Sequence, residues 1–267
     1  MQDKFVFIGG GHLALSFLAG LSSSGFALEN ITVVEKNEEK RQDIKNKFNV
    51  SCVSAAECGS FSNVTYVLMV KPDDVKVALS NIDFGCNDLI SCVAGLSTDK
   101  IRNIISNDKV SIIRCMPNLP AIVCAGLSAL YSDLENKELQ LKAERLFRSI
   151  GTIIWLENED LMHVSTAVSG SGPGYVFRMM QSMVGSAISN GLSEDQARFF
   201  VVNMFFGAAK MALESDVDLN ILCQKVCVAG GTTIEGVGVL ENANIDKIFF
   251  DMVLAAKLKS EQISKII

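Results

Sequence analysis

The sequence predicts an α/β N-terminal half, built on a mostly parallel, doubly wound sheet, followed by an all-α C-terminal half. Three observations predict it. Short apolar or β-branched runs alternate with helical segments up to about residue 156. A glycine-rich turn separates the first run from the first helix. Beyond residue 160 no convincing strand follows, and long helical stretches take over. Strands alternating with helices imply βαβ units and a parallel sheet covered on both faces.

The elements follow in order. Phe5–Ile8 is a short apolar run bounded by Gly, a buried strand. His12–Ser24 carries Leu13, Phe17 and Leu21 at helical spacing and stops at Gly25, a C-terminal cap. Ile31–Val34 is a β-branched second strand, and the charged stretch Glu38–Phe48 a helix. Val64–Val70 is a third strand, ended by Lys71-Pro72. Asp88–Val93 and Val110–Arg114 read as two more, and Ala143–Ile150 and Gly151–Leu156 as a last helix and strand. The helices of the second half are Ser171–Asn190, Ser193–Ser215, Leu219–Val228 and Thr232–Ile266, the last broken near Asn242. Gly191-Leu192-Ser193-Glu194 reads as a helix stop followed by a Ser N-cap. These readings give domains of residues 1–159 and 160–267.

Composition narrows the function. Of 267 residues, 49% are hydrophobic and 20% charged, enough for a core and too apolar for a disordered chain. A net charge of -6, with its 24 Lys and Arg scattered, leaves no footprint for nucleic acid. Eight Cys without a CxxC and only two His argue against a metal site and for a reducing compartment. The apolar stretch Val168–Ala187 is broken by Gly170, Gly172, Pro173, Arg178 and Gln181, so it reads as a buried helix and not a membrane span. The N-terminus shows no leader pattern, and the expectation is a soluble, cytoplasmic protein. Helices from Tyr175 to Ala212 are apolar on more than one face (Met179, Met183, Phe199, Phe205 and Phe206 among others). A segment of about a hundred residues cannot hide all of that alone, so burial against a second copy of the chain is expected.

Ile8-Gly9-Gly10-Gly11-His12-Leu13-Ala14 fits G-x-G-x-x-A between a strand and a helix. The first Gly permits the tight turn, the second lets backbone approach a pyrophosphate, and the small third residue packs helix on strand. N–H groups at the helix start favour the phosphates. This is a dinucleotide-binding loop. Glu35 ends the second strand, where a carboxylate accepts hydrogen bonds from a ribose 2′-OH and repels a 2′-phosphate. Lys36 and Arg41 pull the other way, so NADP and NAD both stay open, and Asn37 completes the turn. Val70-Lys71-Pro72 and Val93-Ala94-Gly95 end the next two strands and line the same cleft. The expected cofactor contacts are thus Ile8 to Leu13, Glu35 to Asn37, Val70, Lys71, Pro72 and Ala94.

In the second half, Ser169-Gly170-Ser171-Gly172-Pro173 and Gly230-Gly231-Thr232-Thr233 each sit at a helix start. They offer N–H groups and hydroxyls without a charged side chain, a nest suited to a carboxylate ligand. Close helix packing with a Thr N-cap is the structural alternative. His163 reads as a packing residue.

Together with Val70-Lys71-Pro72, Arg114-Cys115-Met116-Pro117-Asn118 and Gly207-Ala208-Ala209-Lys210, these motifs run in order over essentially the whole chain and resemble pyrroline-5-carboxylate reductases. The resemblance implies NAD(P)H-dependent reduction of 1-pyrroline-5-carboxylate to proline, the last step of proline biosynthesis. It also implies a Rossmann domain, a helical dimerisation domain, and homodimers that often assemble further into decamers. Gly230, Gly231, Thr232, Thr233 and Ser171 would bind the imino acid, with Thr233 as catalytic residue relaying a proton to the ring nitrogen. The sequence departs from the family at Val228-Ala229, where Ser-Pro is usual, and at Leu119, His12, Ala56, Gln181 and Gly185. Two other readings stand beside this one. The first is a related imine or β-hydroxyacid reductase, although no catalytic Lys follows Ser169–Pro173 on its helix. The second is a non-catalytic NAD(P)-binding protein, motivated by Val228-Ala229.

Overall fold

The computed structural model describes residues 3–80, 82–85 and 87–266, so the outer ends of both predicted domains, 1–2 and 267, lie outside the described residues. The chain forms two compact units. One runs through Ser171 and takes in the residues from Ala255 on, and the other is Gly172–Leu254.

The first unit is an eight-stranded sheet in the order β3-β2-β1-β4-β5-β6-β7-β8. Its strands are β1 Phe5–Ile8, β2 Ile31–Val34, β3 Ser51–Val53, β4 Thr65–Leu68, β5 Asp88–Ser91, β6 Ile112–Met116, β7 Gly126–Ser132 and β8 Gly151–Trp155. Neighbours are parallel except β6 and β7. Between the strands lie α1 His12–Ser23, α2 Glu38–Phe48, α3 Val75–Leu79, α4 Thr98–Ile105 and α5 Lys137–Arg148. Strand period 2 sends alternate residues to opposite faces. Phe5 and Phe7 pack with Phe17 and Leu21 of α1, Ile44 of α2 and Phe147 of α5. Val6 and Ile8 pack with Val75 of α3 and Ile101 of α4. The sheet is therefore doubly wound, as the alternation of segments predicts.

Two strands and three helices, among them Leu161–Ser165, escape the sequence pattern. β3 has three residues, none of them fully buried, so it carries no apolar signature. β7 follows a short 3-10 turn, Leu119–Val123, and returns antiparallel to β6, an arrangement that βαβ reasoning does not foresee. α3 and α4 are only five and eight residues long. The helix expected at Ala143 begins instead at Lys137, because Asn136 accepts the N–H of Leu139 and caps it.

The end of the chain returns to this unit. Helix α6, Leu161–Ser165, presents His163, whose Nδ1 lies 2.9 Å from Ser260 Oγ on the final helix. Gly95 has φ +74°, and a Cβ there would stand 2.9 Å from the Ser264 nitrogen, so this close approach needs glycine. Lys100 Nζ donates to the Ser264 carbonyl. Beneath, the buried Arg114 pairs with Glu159 at 3.0 Å, and Glu159 also accepts the N–H of Thr98 at 2.9 Å. Burial lowers the His163 pKa, and the Arg114 charge adds to that, which fits a neutral packing residue.

The second unit is helical. It contains α7 Gly172–Ser189, α8 Glu194–Leu213, α9 Leu219–Val226, α10 Thr232–Asn242 and the first part of α11, Ile245–Ile266. Gly191 at φ +103° turns the chain between α7 and α8, and Ser193, the foreseen N-cap of α8, forms a capping box with Gln196. The predicted break near Asn242 falls at Asn244, in the left-handed region at φ +54°. Within one chain, α7, α9 and α10 have no buried residue, and α8 has only Ala197 and Val201. Phe199 and Phe206 are each 67% exposed, and Phe177 56%.

Covering such side chains is worth about 1.5–3 kcal/mol each, so the unit gains most of its stability by association. A dimer is the expected smallest folded species. Light scattering with circular dichroism at micromolar concentration checks it, and a folded monomer there would refute it.

Candidate active site

The carboxyl ends of β1, β2 and β4 open onto a cleft of about 400 Å³. Ligands bind at this end of an open α/β sheet. Gly9 has φ +105°, and a Cβ there would stand 2.9 Å from Val70 Cγ1 and 3.0 Å from the Met69 carbonyl oxygen. Glycine is therefore needed for both conformation and space. Gly11 is the cap of α1 without a side-chain cap hydrogen bond, and a Cβ on it would meet nothing within 4 Å. Backbone N–H groups of the first turn thus stand beside open space, and no acidic residue occupies that turn. Such a cradle fits the pyrophosphate of a dinucleotide.

Glu35 is buried, at 8% exposure, directly behind the loop. Its Oε2 accepts the Gly10 N–H at 3.0 Å, and its Oε1 accepts the Asn37 N–H at 2.9 Å. The Arg41 guanidinium donates to the Glu35 and Lys36 carbonyls at 2.8 and 3.0 Å. Lys36 reaches Asp74 at 3.2 Å across the cleft mouth.

Of the residues expected at the cofactor, Ile8, Gly9, Gly11, Glu35, Lys36, Val70 and Lys71 line this cleft together. Gly10 stands behind it on Glu35. His12 is exposed at the helix start, and Leu13 turns its side chain to the core. Asn37 spends its side chain capping α2 through the Lys40 N–H. Pro72 opens the short 3-10 turn after β4, and Ala94 follows the end of β5, neither on the cleft wall. Lys40, Ala55, Asp74 and Val77 also line the cleft. Lys40 lies one helical turn after Lys36 and was within reach of sequence reasoning. Ala55 follows the unforeseen β3, and Val77 belongs to the unforeseen α3.

The second-half motifs also take definite form. After α6 the chain makes a π turn, Thr166–Gly170, in which the Ser171 N–H donates to the Thr166 carbonyl at 2.9 Å. π turns occur frequently at functional sites. Ser171 stands at its end, half-buried. In the other unit, Gly230 at φ +73° turns the chain into Gly231, the N-cap of α10. No side chain makes a cap hydrogen bond there, and Thr232 and Thr233 are the first two helical residues. Thr233 is therefore not the N-cap that a purely structural role would require.

Glu35→Ser is expected to shift the ratio of kcat/KM toward NADPH, since a carboxylate beside the ribose site disfavours a 2′-phosphate. It should also raise KM for both dinucleotides, because Gly10 and Asn37 lose their acceptor. Parallel assays with NADH and NADPH read both effects. An unchanged ratio would show that Glu35 serves the loop alone.

Comparison with known proteins places these features. Residues 159–263 match the family model described as pyrroline-5-carboxylate reductase dimerisation, and residues 4–95 match one described as NADP oxidoreductase coenzyme F420-dependent. The chain is 35% identical to the pyrroline-5-carboxylate reductase of Haemophilus influenzae, over 98% of each chain. Among solved structures it resembles a pyrroline-5-carboxylate reductase from Coxiella burnetii, with a TM-score of 0.89, 30% identity and 99% coverage of both chains. It also resembles the Plasmodium falciparum enzyme solved with NADP bound, at a TM-score of 0.87, 25% identity and 98% coverage of both chains. The glycine loop, the small-residue turn before α7 and the glycine–threonine start of α10 are thus the parts of a chain that belongs to the pyrroline-5-carboxylate reductase family.

Proposed function

We propose that this chain reduces 1-pyrroline-5-carboxylate to L-proline with NAD(P)H, and that its two predicted parts divide the work. Residues 1–159 hold the dinucleotide through the cleft lined by Gly9, Gly11, Glu35, Lys36 and Lys71. Residues 160–267 bind the imino acid and form the dimer. The observation that carries the substrate assignment is the start of α10. Its cap is Gly231, no side chain makes a cap hydrogen bond, and a Cβ on Gly230 would meet nothing within 4 Å.

A helix start of this kind binds a carboxylate through N–H groups and partial positive charge, with no need of Arg. Gly230, Gly231 and Thr232 hold the substrate carboxylate in this reading. Ser171 and Thr233 orient the ring by their hydroxyls. The dinucleotide, when bound, supplies the hydride that the imine carbon accepts. The ring nitrogen carries its proton already in the iminium form, so the chain needs no strong general acid. Where the imine is neutral, the Thr233 hydroxyl relays a proton from water to the ring nitrogen, taking one up as it gives one. Val228-Ala229 in place of Ser-Pro leaves the glycines and threonines of this start intact, which favours a working enzyme over a binding protein without turnover.

Further assembly of dimers into a pentamer of dimers, and a cytoplasmic location, are part of the same proposal. The family resemblance supports the first. For the second, no helix among the described residues is long and apolar enough to cross a membrane, and no cysteine with a described side chain is in a disulfide.

Thr233→Val keeps shape and β-branching and deletes the hydroxyl. A hydrogen bond to a charged group contributes about 1.5–3 kcal/mol, so kcat/KM for pyrroline-5-carboxylate should fall roughly ten- to a hundred-fold. Melting temperature and NAD(P)H affinity should barely move. Lowered stability with intact turnover would place the substrate elsewhere.

A further inference from the structure

One motif has no role in the cofactor cleft or at α10: Met116-Pro117-Asn118, where β6 ends. Its side chains meet the turn that leads into α7. Met116 Cε lies 2.7 Å from where a Cβ on Gly170 would stand, so the methionine side chain packs closely on the turn. Asn118 Nδ2 donates to the Ser169 carbonyl at 3.2 Å and lies 3.5 Å from Ser169 Oγ. Its Oδ1 accepts the Leu127 N–H at 2.9 Å, at the start of β7. These partners fix the amide's orientation, since Leu127 needs an acceptor and the Ser169 carbonyl a donor.

The Ser169 carbonyl needs that donor for a reason written in the chain. In a continuing α-helix it would accept the N–H of residue 173. Residue 173 is proline, which has none. Pro173 thus leaves the Ser169 carbonyl without that helical donor, and the Asn118 amide takes it up. Asn118 is itself held: its carbonyl accepts the Ala121 N–H at 3.2 Å and Pro117 before it is buried.

We propose that Asn118 is a positioning residue for the reductase reaction. It fixes Ser169–Ser171 in the π-turn form that presents the Ser171 hydroxyl to the imino acid. The proposal rests on the reading of Ser171 as a substrate contact. Asn118 acts through the turn and touches no reacting atom.

Asn118→Asp is nearly isosteric and still accepts the Leu127 N–H, but it cannot donate to Ser169. The expected result is a KM for pyrroline-5-carboxylate raised roughly tenfold, the scale of one lost hydrogen bond plus an unpaired carbonyl. KM for NAD(P)H should stay near wild type, and melting temperature should fall by only the few degrees that one lost hydrogen bond costs. Pro173→Ala added to Asn118→Asp supplies an N–H for the orphaned carbonyl and should recover most of the lost KM. A substrate KM unchanged in Asn118→Asp, or a loss that falls equally on substrate, cofactor and stability, overturns the proposal. So does a double variant no better than Asn118→Asp. A wild-type chain that leaves pyrroline-5-carboxylate unreduced would instead refute the function, and the positioning role with it.

Discussion

Glu35 is buried behind the glycine loop, and its two carboxylate oxygens accept one backbone N–H each, from Gly10 and Asn37. A buried carboxylate is costly unless it is paired or fully hydrogen-bonded. Here the cost is offset by tying the β1–α1 turn to the β2–α2 turn, which together frame the cleft. Arg41 reinforces the second turn by donating to the Glu35 and Lys36 carbonyls. The loop could not keep its shape by side-chain packing, since its three glycines have no side chains. Hydrogen bonds from behind substitute for packing, and they leave the front of the loop free for a phosphate.

The same economy of side chains recurs in the second half, with the opposite consequence. In the proposed reading, small residues at Gly172, Gly230 and Gly231 leave backbone groups to a ligand, while the helices around them carry large apolar side chains that one chain leaves bare. α7 and α10 bury nothing within the chain, yet both begin at a proposed substrate turn. In that reading, dimerisation and substrate binding draw on the same helices. Conditions that separate protomers should loosen the helix starts as well as expose Phe199 and Phe206.

Much of this was legible in the sequence because the controlling patterns are local. The glycine loop, β1, β2, α1 and the Ser193 cap each depend on neighbours within a few residues, and each lies where periodicity and capping rules put it. β3 was hidden because three residues at a sheet edge leave no apolar run, and β7 because Gly126, Ser128 and Tyr131 interrupt its apolar residues. The direction of β7 is a long-range property of the sheet. Glu35 was found, but its dominant partners were not. A carboxylate at the end of β2 signals ribose binding by spacing, whereas its bond to Gly10 spans 25 residues and exists only once the strands pair. Asn118 stood in a recognised motif without an assigned task, because its partner lies 51 residues away.

Pro173 shows how a sequence can mark a long-range contact without revealing it. A proline one residue inside a helix satisfies a local rule, since an N–H in the first turn has no helical partner anyway. Here Pro173 stands only three residues beyond the π turn Thr166–Gly170. The proline then orphans a carbonyl behind it, and that group must find a donor or water. Glycines at 170 and 172 cannot provide one from a side chain. The loop after β6 brings the Asn118 amide against it. In this chain the small-residue turn and the Met-Pro-Asn strand end are two halves of one device: the first creates an unmet hydrogen-bond demand, and the second meets it from a rigid sheet.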